Sequence, residues 1–146
     1  MTYCNVFCLG DPNVPGDAVG PIVGTELLRR GVKDAWVVGS MVAPVLRSNY
    51  SEKFESLLPG IPTIVVDAHL AKVGPLYYYS FIKGKTQPGI LHGGFNPVGD
   101  FAMRCWTART PEELLAVNNA IIVSLARDMT TALLDLINNK QLKEYI

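Results

Sequence analysis

A chain of 146 residues, 49% of them hydrophobic, has the length of one domain and can bury a sizeable core. Its 13 basic and 13 acidic residues balance, and no basic patch is interleaved with aromatics, so charge gives no reason to expect nucleic acid or an anionic membrane as partner. No apolar run reaches the ~18 residues of a membrane span, and "MTYCNVFCLGDP" lacks the basic start and apolar length of a signal peptide, so a cytoplasmic protein is expected.

In chain order, "TYCNVFCLG" is a short apolar run ended by Gly10 and reads as the first strand. Cys4 and Cys8 fall on the same side of it, roughly 13 Å apart at about 3.3 Å per residue, too far for a disulfide. With Cys105 they are read as small buried thiols without metal-ligand spacing. The turn-forming "DPNVPGD" leads to a helix with Pro21 in its first turn, Val19, Val23 and Leu27 on its apolar face, and an end at Arg30 capped by Gly31. "AWVVGS" is a second strand. Residues 44–58 show a weaker helical pattern, started by Pro44 and stopped by "PGIP".

"TIVVDA" is a β-branched strand with Asp67 at its carboxyl end, and "PLYYYSFIKGK" is a strand of aromatic character. "TQPGILHGGFNPVGD" then holds four glycines and two prolines in 15 residues, which marks a long loop able to carry function. After the strand "DFAMRCW", Thr110, Pro111 and Glu113 form a capping box that is expected to start the last helix. Leu114, Ile121, Leu125, Met129, Leu133 and Leu136 carry its apolar face to about residue 138.

The order βαβαβββα, with continuous apolar strands, predicts a single α/β domain over residues 1–146: a mainly parallel sheet with helices on both faces. Ligands in such sheets sit at the carboxyl ends of the strands, near a topological switch point. Asp17 follows the first strand and Asp67 ends the third, so parallel neighbouring strands would bring both acids to one edge. Two close carboxylates cannot both ionise easily, and one keeps its proton at a raised pKa. Such a pair supplies a base that activates water and an acid that protonates a leaving group. The same oxygens could instead hold a divalent metal with His92 or His69.

Plainer readings stand beside these. Asp17 could cap the following helix, since Asp is a favoured N-cap. Asp67 could accept hydrogen bonds from the next loop, although a charge straight after three apolar residues needs a partner or a purpose. Tyr77, Tyr78 and Tyr79 are explained by core packing and a sheet edge. "GDPNVPG" lacks the Gly-Lys-Ser/Thr ending of a phosphate loop, no Gly-x-Ser-x-Gly elbow exists, and no cofactor is expected.

Taken together, "CLGDPNVPGDAVGPIVGTEL", "IVVDAHLAK" and "GKTQPGILHGGFNPVGD" resemble the spore-protease-related family of sporulation proteins (the YyaC type) over essentially the whole chain. That family is similar to the germination protease and, more distantly, to the hydrogenase maturation endopeptidases. The resemblance implies a phosphorylase/hydrolase-like fold of three layers with a mixed sheet. It implies catalytic roles for Asp17 and Asp67, on the pattern of the germination protease. In the maturation endopeptidases the equivalent acids and a loop histidine, here Asp17, Asp67 and His92, contact the nickel carried by the substrate; Asp17 stands where those enzymes usually have glutamate.

The expected function is therefore that of a peptidase using Asp17 and Asp67 as an acid–base pair on a protein or peptide substrate. The loop bearing His92, Gly93, Gly94 and Asn96 would flank the substrate cleft. The rival expectations are a metal-binding maturation-type endopeptidase and a non-catalytic sporulation interaction module. "LYYYSF" at a sheet edge could pair with a second copy of the chain.

Overall fold

The computed structural model describes residues 1–89 and 94–145. Five strands, β1 (Cys4–Cys8), β2 (Ala35–Val38), β3 (Thr63–Leu70), β4 (Tyr78–Lys83) and β5 (Phe101–Ala108), form one sheet in the order β2-β1-β3-β5-β4. The pairs β1·β2, β1·β3 and β3·β5 are parallel, and β4 runs antiparallel along β5 as an edge strand. Among the described residues the α-helices are α1 (Val19–Arg29), α2 (Tyr50–Glu55) and α3 (Asn119–Asn138). The result is a single α/β domain, and its element order is the one expected.

Alternation along the strands divides the core in two. Cys4, Val6, Cys8, Ile64, Val66, Ala68, Met103 and Cys105 pack with α1 and α3 residues such as Val23, Leu27, Met129 and Leu133. Phe7, Leu9, Val38, Val65 and Tyr50 form the core of the opposite face, beneath α2. All five residues of β1 are buried, as a central parallel strand requires. Its one polar member, Asn5, is satisfied there: its side chain donates to the Leu58 carbonyl (2.9 Å) and accepts from the Leu58 N–H (3.0 Å). The three cysteines are free and buried, as expected of them.

α1 lies very close to the sheet, and two glycines permit it. A Cβ at Gly20 would stand 2.0 Å from the Leu9 carbonyl oxygen, and one at Gly24 would stand 1.8 Å from that of Gly39. The strand-end chain and the helix therefore touch backbone to backbone.

Three expectations need correction. The helix expected over 44–58 is shorter: residues Arg47–Asn49 form a 3₁₀ turn and α2 starts at Tyr50. The Asn49 side chain accepts from the Leu46 N–H (2.8 Å) and donates to the Pro44 carbonyl (3.1 Å), which holds 44–46 in a turn instead of a helix. The capping box at Thr110 also forms in part, but on a 3₁₀ turn, Glu112–Leu115. Thr110 accepts from the Glu113 N–H (3.3 Å), while Glu113 reaches Arg109 N–H (2.7 Å). α3 starts later, capped by Asn118, whose side chain accepts from the Ala120 N–H (2.8 Å). The later start resets the helical phase, so Ile122 is buried and Ile121 is 41% exposed. β4 is an edge as expected, but Tyr77, Tyr78 and Tyr79 are all exposed, so core packing does not explain them.

Candidate active site at the sheet switch point

The connection β1–α1–β2 runs to one side of β1, and β3 lies on its other side. The crevice between the carboxyl ends of β1 and β3 is therefore the switch point at which such sheets bind ligands. Asp17 and Asp67 flank it.

Asp17 is delivered by the short 3₁₀ turn Pro15–Asp17, which folds back over the strand ends. Gly10, at φ 144°, makes this possible, because a Cβ there would stand 2.0 Å from the Asp17 carbonyl oxygen. The buried Thr107 hydroxyl, at the end of β5, donates to the Gly16 carbonyl. Leu114, from the 3₁₀ turn after β5, fills the space beside Gly16. This turn is thus pinned from two sides. The Asp17 carboxylate accepts from the Asp11 N–H (2.8 Å), and α1 is preceded by Ala18 with no side-chain cap. Asp17 is not the helix cap, and that plainer reading falls.

Asp67 is fully buried near the end of β3. Its Oδ1 accepts from the Ala68 N–H (2.9 Å) and its Oδ2 from the Gly89 N–H. A Cβ at Gly89 would meet both carboxylate oxygens at 3.1–3.2 Å and the Ala68 carbonyl at 2.5 Å, so the loop backbone approaches Asp67 only because residue 89 has no side chain. His69, two residues on and on the same face, places Nε2 3.9 Å from Oδ2, beyond hydrogen-bond distance.

Burial raises both acids. Asp17 is pushed from 3.8 up to about 7, chiefly by loss of solvent, against the opposing Asp11 N–H. Asp67 is pushed well above the usual carboxylate range by burial first and by the Asp17 charge second, against the N–H groups of Gly89 and Ala68. The two acids are electrostatically coupled: once Asp17 has lost its proton, its charge opposes the ionisation of Asp67. The charge on Asp67 in turn raises the Tyr50 phenol, second to burial, which places Tyr50 beside the crevice. Burial and the same two acids push the Cys105 thiol up, so it is no nucleophile. His69 is lowered from 6.5 to about 4 by burial and then by the Arg104 charge.

The chain bearing the long loop closes over this region. Residues Thr86 and Val98 bridge its two ends, and Phe95 stacks on Tyr50 with ring centres 4.1 Å apart. Of the residues expected to line the cleft, Gly94 and Asn96 are exposed on this loop. His92 and Gly93 lie outside the described residues. Among the described residues no group of three His, Cys, Asp or Glu side chains could hold a metal ion.

The model of the family described as a protein of unknown function, DUF1256, matches residues 3–133. The chain belongs to that family. The matched span contains every strand, the Asp17 turn, the long loop and Asp67. No curated protein matches the chain. Among the described residues no helix is long and apolar enough to cross a membrane.

Sequence reasoning passed over several contributors. Gly89, Thr107, Asp11 and Tyr50 carried no local signal, because each matters only through a partner distant in sequence. Arg104 did carry one: it interrupts the apolar run "FAMRCW" just as Asp67 interrupts "IVVDA".

Proposed function

We propose that this protein is a peptidase of the cytoplasm, in the spore-protease-related branch, in which Asp17 and Asp67 act as a proton-sharing pair. The observation that supports this reading best is the pair of coupled, buried carboxyl groups, both raised, at the switch point of a parallel sheet. In the proposed reaction Asp17, the more readily ionised acid, takes a proton from water, and the hydroxide attacks the peptide carbonyl carbon. Asp67, which keeps its proton, gives it to the departing amine nitrogen as the C–N bond breaks. The Gly89 backbone lies against the Asp67 carboxylate and would have to give way to an extended peptide. The β4 edge is where a second copy of the chain would pair.

The test is hydrolysis of a peptide library and of small acid-soluble spore proteins. Asp17→Asn and Asp67→Asn, which keep size and an acceptor oxygen, should each lower kcat by at least 100-fold, on the order expected for losing an acid–base group. Unchanged cleavage in both variants, or no cleavage by the wild type between pH 5 and 8, overturns the reading.

A further inference from the structure

Beside the aspartate pair the sheet carries a cation without a counter-charge. Arg104 pairs in register with Asp67 on one side and with Ser80 of β4 on the other, so all three side chains share one face. Neighbouring strands lie about 4.8 Å apart, which sets Arg104 one strand from the proposed chemistry. Yet among the described residues its guanidinium is within ion-pair distance of no carboxylate, and its buried Nε has no hydrogen-bond partner.

The surroundings hold the guanidinium in place without neutralising it. Its central carbon lies 5.4 Å from the centre of the Trp106 ring. Trp106 is itself stacked on Tyr78, ring centres 4.6 Å apart at 13°. His69, paired with Trp106 in register, has a buried Nε2 that also lacks a partner. Two buried nitrogens without a hydrogen-bond partner, Arg104 Nε and His69 Nε2, thus lie on the face of Asp67, each at a cost that an acceptor oxygen placed there would relieve.

We propose that Arg104, with His69 and Ser80 beside it, is a substrate-binding site for a carboxylate, held by the guanidinium fork while the peptide chain lies against the Trp106–Tyr78 stack. The carboxylate belongs either to an acidic side chain or to the carboxyl terminus of the peptide. This inference rests on the peptidase reading for the identity of the ligand, but binding can be measured without turnover.

The chain has two tryptophans, and Trp36 lies on edge strand β2, three strands from Trp106, donating to the Ser56 carbonyl. In a Trp36→Phe background the emission of Trp106 reports on the site. The probes are N-acetylated tetrapeptides of three kinds: one with a single internal Glu and an amidated end, one with uncharged side chains and a free carboxyl end, and one with uncharged side chains and an amidated end. The charged probe of the correct kind should bind at least tenfold more tightly than the neutral one. Arg104→Gln should erase that difference, and Arg104→Lys, which keeps charge but loses the fork, should reduce it several-fold. Equal binding of charged and neutral probes, or discrimination that survives unchanged in Arg104→Gln, overturns the assignment. Should Arg104→Gln not fold, unchanged discrimination in Arg104→Lys overturns it as well. Carboxylate preference without cleavage would sink the peptidase reading and leave this site standing. Cleavage without the preference would do the reverse.

Discussion

Asp17 and His69 are both displaced by burial, in opposite directions, and their effects on stability oppose each other. Asp17 binds its proton more tightly folded than unfolded, because its value rises from 3.8 to about 7. Its burial is therefore least costly below pH ~4 and costs progressively more up to pH ~7. His69 is lowered from 6.5 to about 4, so its neutral burial adds stability that is lost as pH falls through that window. The wild-type profile mixes both slopes, and difference measurements separate them. Relative to wild type, Asp17→Asn should gain stability as pH rises from 4 to 7, by up to about 4 kcal/mol, and stay level above. His69→Gln should show a difference that grows toward acid. Urea unfolding across a pH series reads both, and a flat Asp17→Asn difference would mean an ordinary carboxyl at that position. At this scale the sequence disclosed Asp67, a charge at the end of an apolar run; Arg104 bore the same signal and was passed over, and Gly89 bore none, since it earns its place only by lacking a Cβ beside Asp67.

At the scale of elements, α1 illustrates how a favourable local change can fail. Gly→Ala inside a helix ordinarily gains up to about 1 kcal/mol. At Gly24 the new methyl would stand 1.8 Å from the Gly39 carbonyl oxygen, and α1 would have to lift off the sheet. Gly24→Ala is accordingly expected to destabilise by about 1–3 kcal/mol, as overpacking does, and thermal unfolding checks the sign. The last helix teaches the same lesson about local signals. The Thr110–Glu113 pattern, expected to start the last helix, instead begins a turn whose Leu114 braces Gly16, and the long helix waits for Asn118. Leu114→Ala should thus reach the site as well as the fold. Removing the brace from the Asp17 turn is expected to lower kcat in the peptide assay at a temperature where the variant is still fully folded by circular dichroism.

Across the whole molecule, the larger core lies between the sheet and the α1–α3 layer, with Met129 and Leu133 fully buried at its centre. Leu133→Ala should cost about 2–5 kcal/mol and lower Tm by roughly 5–15 °C at this size, without altering the pH dependence set by Asp17. Differential scanning calorimetry at two pH values would show a uniform drop. The sequence by itself determined the kinds of element and their order, because apolar runs, helical spacing and turn residues are local signals that survive without a tertiary partner. Only the tertiary structure decided that β1 and β3 are neighbours, that Asp17 is a coupled acid instead of a cap, and that Arg104 stands beside the pair unneutralised. Those outcomes depend on desolvation and on charges from strands far apart in the chain, and neither exists until the sheet has closed around them.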